Sequence, residues 1–188
     1  MLIKIKIIVS EILIILIASS QVFAQQKSIK YHSINSGGLI VGAKENSVLF
    51  QTINGISLNT FYVGLGIGLD YYNYNTVPLF ADVRKTFGNL NAGFVYGDVG
   101  LNLPHKNKPG VDFGYVTSYD FKKGLYSDVG VGYKTKLIKK SFIVFTIGYS
   151  YKSLKGNAEN KSCPDCQGDV YHYDFGYHRI LFKTGMEF

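Results

Sequence analysis

The chain has 188 residues, enough for one domain, and a formal net charge of +7. Its paired lysines sit in connections (Lys106 and Lys108, Lys122 and Lys123, Lys139 and Lys140) instead of along one face, which argues against nucleic acid and for solvation, with attraction to anionic head groups as a second use. Tyr (15), Phe (13) and Gly (21) are abundant, Trp is absent and Pro is scarce, a composition that suits pleated sheets and membrane interfaces.

At the start of the chain, Lys4 and Lys6 precede an apolar run from Ile7 to Ile17 that only Ser10 and Glu11 interrupt. Val22-Phe23-Ala24 then places small residues where a signal peptidase reads. The expected organisation is a cleaved signal peptide over residues 1–24 and a mature domain over residues 25–188. The run is shorter than the roughly 20 apolar residues of a membrane helix. No cysteine follows the cleavage site, so a lipid-anchored end is not expected. Loss of Lys4, Lys6 and Glu11 leaves a mature net charge of +6.

The rest alternates with period two and shows no helical period. Two early strands, near Gly38–Ala43 and Val48–Ile56, alternate less cleanly. From Phe61 to Tyr72 the pattern is clear: Phe61, Val63, Leu65, Ile67, Leu69 and Tyr71 share one face, while Tyr62, Gly64, Gly66, Gly68, Asp70 and Tyr72 share the other. Leu79, Ala81 and Val83 oppose Phe80, Asp82 and Arg84, and Val95, Val99, Leu101 and Leu103 oppose Phe94, Tyr96, Asp98 and Asn102. Leu125, Val129, Val131, Tyr133 and Leu137 oppose Asp128, Gly130, Gly132 and Lys134, and Ile143 to Tyr151 splits likewise. In the last strand Ile180, Phe182, Thr184, Met186 and Phe188 oppose Leu181, Lys183, Gly185 and Glu187. This predicts an all-β, closed antiparallel transmembrane barrel of about eight strands, because lipid leaves an open sheet edge without hydrogen-bond partners. Gly110–Phe121 reads as a loop, β-extended above the membrane. Short turns at Ser57–Thr60, Gly88–Asn91 and Ile138–Ser141, with long connections at Pro104–Lys123 and Lys155–Tyr177, predict periplasmic turns and two long outer loops.

The leader, the glycine-spaced strands and the terminal segment Arg179 to Phe188 resemble small outer-membrane β-barrel proteins of the porin-like, outer-membrane protein A/X size class. Phe50-Gln-Thr-Ile-Asn-Gly55, Gly64–Tyr72 and Val77-Pro-Leu-Phe-Ala-Asp-Val-Arg84 carry the same likeness. The resemblance implies an outer-membrane location, lipid as surroundings, and Phe188 as the assembly signal read by the barrel-assembly machinery. It does not imply an activity.

A soluble barrel would keep charges outside. Here the inward face holds Asp70, Asp82, Arg84, Asp98, Asp128, Lys134, Lys183 and Glu187, and the opposite face is almost uncharged. In so narrow a barrel these groups are expected to pair across the lumen as a packed polar interior, with a narrow ion or water path as the alternative. Cys163 and Cys166 in the last outer loop read as a disulfide, with a redox pair or a zinc site beside His172 and His178 as the sharper alternatives. Tyr171, Tyr173, Phe175 and Tyr177 read as an interface girdle or a binding tip. Ser150, His172 and His178 lack the spacing of a nucleophile and its base, so no catalytic residue, metal or cofactor is assigned. The expected function is an envelope-structural or surface-binding barrel, the alternative a small pore or a lipid-modifying enzyme. Closure of the sheet points to a monomer.

Overall fold

Branched and aromatic residues alternating with small or polar ones favour extended backbone with two unlike faces, and glycines at inward positions let neighbouring walls and rings approach closely. The computed structural model describes residues 29–88, 92–105, 116–138, 141–160 and 169–188. The expected leader with its cleavage site lies outside them, as do Cys163 and Cys166. Nine strands follow in chain order: β1 (Lys30–Gly42), β2 (Asn46–Leu58), β3 (Phe61–Asp70), β4 (Thr76–Phe87), β5 (Gly93–Pro104), β6 (Val116–Lys122), β7 (Gly124–Ile138), β8 (Ser141–Asn160) and β9 (Asp169–Glu187).

Eight of them close a barrel. β1 pairs with β2 on one side and β9 on the other, and the antiparallel ladder runs β1-β2-β3-β4-β5-β7-β8-β9 and back to β1. β6 adds no stave. It runs on into β7, with Lys122 opposite Lys155 and Tyr126 opposite Lys152, so the bottom-to-top edge of β8 is shared by β7 and then β6. One extra residue between Lys122 and Tyr126 makes the join a bulge. The segment read from sequence as a β-extended loop is thus, over Val116–Lys122, the upper end of the β7 wall.

A circuit of the ladder through Leu125, Leu101, Leu79, Ile67, Thr52, Asn35, Met186 and Ile143 returns to β7 at Thr135, ten residues from its start. Ten residues of stagger over eight strands correspond to a tilt of about 43°. The climb also gives every side chain a height. Exposed Tyr31, Phe61, Phe87 and Phe188 fall at one level near the rim that holds the ends of β1 and β9. Tyr71 and His178 fall near a second level at the other rim. Between them the outer wall carries Leu65, Ile67, Leu79, Val83, Val99, Val129, Val131, Ile147 and Phe182, all exposed. The two aromatic levels are roughly 23 Å apart, close to the apolar band of about 25 Å that such barrels carry.

The lower rim has tight turns. Asn59 takes positive φ (58°) between β2 and β3, and Gly88 does so (80°) after β4. At the upper rim β8 and β9 pair without interruption from Phe142↔Glu187 to Asn160↔Asp169. Most of the connection expected as a loop over Lys155–Tyr177 is therefore ladder, and with β6 it forms a three-stranded flap that rises roughly 20 Å above the rim. β1 starts at Lys30, eight residues before the strand expected near Gly38.

Candidate functional site

The interior is built by the inward half of each strand. Buried there are Asp70, Asp82, Arg84, Asp98, Asp128, Lys183 and Glu187, and Lys134 is half-buried at the lower mouth. Lys152 and Arg179, not among the inward charges named from sequence, are buried with them. The signal for both was present: Lys152 continues the phase of Ser150 in β8, and Arg179 precedes Leu181 and Lys183 in β9. Ending those strands at Tyr151 and Ile180 hid them. With them, five acidic side chains (Asp70, Asp82, Asp98, Asp128, Glu187) meet five basic ones (Arg84, Lys134, Lys152, Arg179, Lys183), so acids and bases are equal in number in the described interior.

The charges form three layers. At the lower mouth Glu187 Oε1 lies 2.9 Å from His32 Nδ1 and 3.2 Å from Lys134 Nζ. Above it Arg84 Nε donates to both Asp82 oxygens at 3.0 and 2.9 Å, and its guanidinium lies over the rings of Tyr62, Phe94 and Tyr96 at 5.4–5.8 Å. In the same middle layer Lys183 Nζ donates to Asp128 Oδ2 at 2.6 Å and to Gln51 Oε1 at 3.3 Å. Gln51 Nε2 donates to the Tyr126 hydroxyl at 2.8 Å, and the Tyr96 hydroxyl donates to Asp128 Oδ1 at 3.1 Å. Asp98 is the poorly served member: its nearest cation, Lys183, is 4.0 Å away, and neither of its oxygens has a hydrogen-bond partner in the structure.

The third layer sits under the upper rim. Lys152 Nζ donates to Asp70 Oδ1 at 3.1 Å and to the carbonyls of Tyr72 and Tyr74 at 2.9 Å each. Arg179 Nη1 pairs with Asp70 Oδ2, and its Nη2 donates to Ser150 Oγ at 2.9 Å. A charge taken out of water is tolerable only when paired and hydrogen-bonded, and Asp70 meets that condition from two sides. Over this layer Tyr72, Tyr74, Phe121, Leu154 and Tyr177 pack into one cluster with Phe175 against it. A recess of about 190 Å³ opens at the lower mouth beside His32, Tyr62, Arg84, Lys134 and Glu187, and deeper in, beside Arg84, Val144 and Lys183, the space shrinks to about 10 Å³. That is room for at most about one water molecule.

Above the cap the inward face of β9 continues as an aromatic ladder. Tyr173 stacks on Phe175 at 5.9 Å, and Phe175 stacks on Tyr177 at 6.3 Å. Tyr171 and Tyr173 are exposed and stand above the rim, outside the girdle level. The serine and histidines considered for catalysis are not assembled. Ser150 is buried against Arg179, His178 lies on the outer wall with its Nδ1 against the Tyr149 hydroxyl, and His172 Nδ1 is 2.8 Å from Asn157 Oδ1. Phe188 projects outward at the lower rim, its backbone paired with Ser33 through N–H···O contacts of 2.9 and 3.2 Å.

No protein-family model and no curated protein matches the chain. Among solved structures it is similar to outer membrane protein AlkL, determined by solid-state NMR in DMPC lipid bilayers, with a TM-score of 0.52 and 12% identity over 87% of this chain and 90% of that one. It is also similar to the N-terminal β-barrel domain of Pseudomonas aeruginosa OprF (TM-score 0.49, 13% identity, 87% of this chain and 100% of that one). Neisserial surface protein A gives a TM-score of 0.48 and 11% identity over 86% of this chain and 98% of that one. The closed eight-stranded ladder and the AlkL likeness agree: the chain has the fold of the small outer-membrane β-barrels.

Proposed function

We propose that the protein is an integral outer-membrane barrel whose interior is a plug and whose working surface is the flap of β6, β8 and β9. The observation that carries the reading is the layered interior of five acidic and five basic side chains under the aromatic cluster: ten ionisable groups brought together at that density are a packed core, and a water-filled path would leave them apart. The inverted burial pattern supports the location. A wall of exposed Leu, Ile, Val and Phe bounded by two aromatic levels is costly in water and matched to lipid. The role that fits is structural in the envelope, combined with contact at the cell surface through Tyr171 and Tyr173, since exposed rigid aromatics supply contact area at little entropic cost.

Planar-bilayer recording tests the plug. Purified protein shown to be folded by its gel shift between unheated and boiled samples should give no steady single-channel conductance. Regular conductance steps would replace this reading with the small-pore one. Surface contact is tested by comparing cell or ligand adhesion of the parent chain with Tyr171→Ser/Tyr173→Ser, and unchanged adhesion would remove the flap from the function.

A further inference from the structure

The outer wall is apolar at mid-depth on all sides but one. Following the climb of the ladder, the level midway between the two aromatic girdles is occupied by Leu65 on β3, Ala81 on β4, Gly97 on β5, Val131 on β7 and Ile147 on β8. On the wall formed by β9, β1 and β2 the same band instead holds Thr184, Asn35 and Thr52, with Ser33 and Asn54 just below and Gly37 just above. Asn35 is exposed, and among the described residues its carboxamide has no hydrogen-bond partner. Asn54 accepts from the Tyr31 hydroxyl at 2.7 Å. Beside Asn35 and Thr52 lies an outer groove of about 540 Å³ with Phe50, Ile67, Leu69 and Val77 along it.

We propose that this wall is the contact face of a homodimer, with the two-fold axis passing near Asn35. The proposal rests on the membrane reading above, because only in lipid is the unmet carboxamide expensive. Hydrocarbon offers neither donor nor acceptor at that depth, and lipid carbonyls lie at the interface. A second copy offers both. Two copies in one bilayer share the same depth, so an axis along the membrane normal brings each near-axis residue opposite its own equivalent. A carboxamide is donor and acceptor at once, and Asn35 therefore satisfies Asn35 of the second copy by a reciprocal pair of hydrogen bonds. Thr52 and Thr184 flank that pair with hydroxyls. Ser33 and Gly37 add little bulk, which lets the walls approach closely, as small residues do between membrane helices. The groove beside Asn35 takes apolar side chains of the second copy. This replaces the single copy that closure of the sheet suggested.

The test is disulfide trapping in native outer membranes, in a chain carrying Cys163→Ser and Cys166→Ser. Asn35→Cys should form an oxidation-dependent dimer of twice the chain mass, and Val99→Cys on the opposite wall should not. No Asn35→Cys dimer, equal trapping at both positions, or trapping to a protein of other mass would overturn the proposal. A second measurement avoids the introduced cysteine: in lipid nanodiscs at fixed protein-to-lipid ratio, Asn35→Leu should weaken dimerisation about tenfold, the scale of one or two membrane hydrogen bonds. A parent chain that is monomeric in that assay, or an Asn35→Leu variant that dimerises as well as the parent, would also overturn it. The heat-dependent gel shift of each variant reports separately whether the membrane barrel itself has formed, so failure of the barrel reading and failure of the dimer are distinguishable.

Discussion

Lys152 reaches across the barrel interior to Asp70, its Nζ 3.1 Å from the carboxylate, although 82 residues separate the two along the chain. Both are nearly or fully buried, and the same carboxylate takes the guanidinium of Arg179 on its other oxygen. Two cations on one acid would leave a surplus, but Lys152 also donates to two backbone carbonyls at the end of β3, where the chain turns over the lumen. The layer thus ties β3, β8 and β9 together under the aromatic cap.

Breaking that layer from one side should be costly. Arg179→Met or Lys152→Met leaves buried charge less well paired, with an expected loss of about 3 kcal/mol. Urea titration of the unheated gel-mobility form in lipid vesicles reads it. Asp70→Asn should cost at least as much, because it strands two cations.

Asp98 is expected to behave in the opposite way. It is buried and unbonded, so Asp98→Asn replaces a desolvated carboxyl by a carboxamide of nearly the same shape, and the urea midpoint should stay within about 1 kcal/mol of the parent or rise. Asp128→Asn, which breaks the 2.6 Å contact with Lys183, should cost about 3 kcal/mol. Equal losses at the two positions would contradict this layering.

Glycines where strand and ring approach closely should be intolerant, and open ones tolerant. A Cβ on Gly100 would sit 1.9 Å from the Leu79 carbonyl oxygen and 2.5 Å from the Phe80 Cα, both backbone atoms. Gly100→Ala is expected to cost about 2 kcal/mol. A Cβ on Gly97 would meet only Val129 at 3.9 Å, and Gly97→Ala should change the midpoint by less than about 0.5 kcal/mol.

Depth on the outer wall predicts sensitivity to charge. Leu65 lies at mid-depth and is 74% exposed on the outside, so Leu65→Arg should reduce folding into vesicles by about 2–4 kcal/mol. Leu103, at the upper rim, should tolerate arginine with a loss of about 0–1 kcal/mol. A similar cost at both sites would place the apolar band elsewhere.

The alternating faces of β3, β4, β5, β7, β8 and β9 were legible because period two needs only neighbouring residues. That alternation put Asp70, Asp82, Asp98 and Asp128 on one face before any pairing was known. β1 was the strand least readable from sequence, and the reason is physical: Ser33, Asn35 and Gly37 stand on its outward face while Ile34 and Ile40 stand on the inward one, so the contrast that marks a lipid-facing strand is missing or reversed along its middle. Lys152 and Arg179 were missed because strand ends at a barrel rim have no sequence mark when the ladder simply continues upward into the flap.

By itself, then, the sequence determined that the chain is sheet throughout its described length, which side chains share a face, and that the charged face is the enclosed one. Only closure of the ladder decided the rest. The ten-residue stagger sets which residues from distant strands meet at one height, and no local pattern carries that offset. It gives Asp70 two cations and leaves Asp98 none within hydrogen-bonding reach, and it carries Asn35 to the middle of the apolar band. Ion pairing and depth are set by distances across the barrel, whereas alternation is set along the strand.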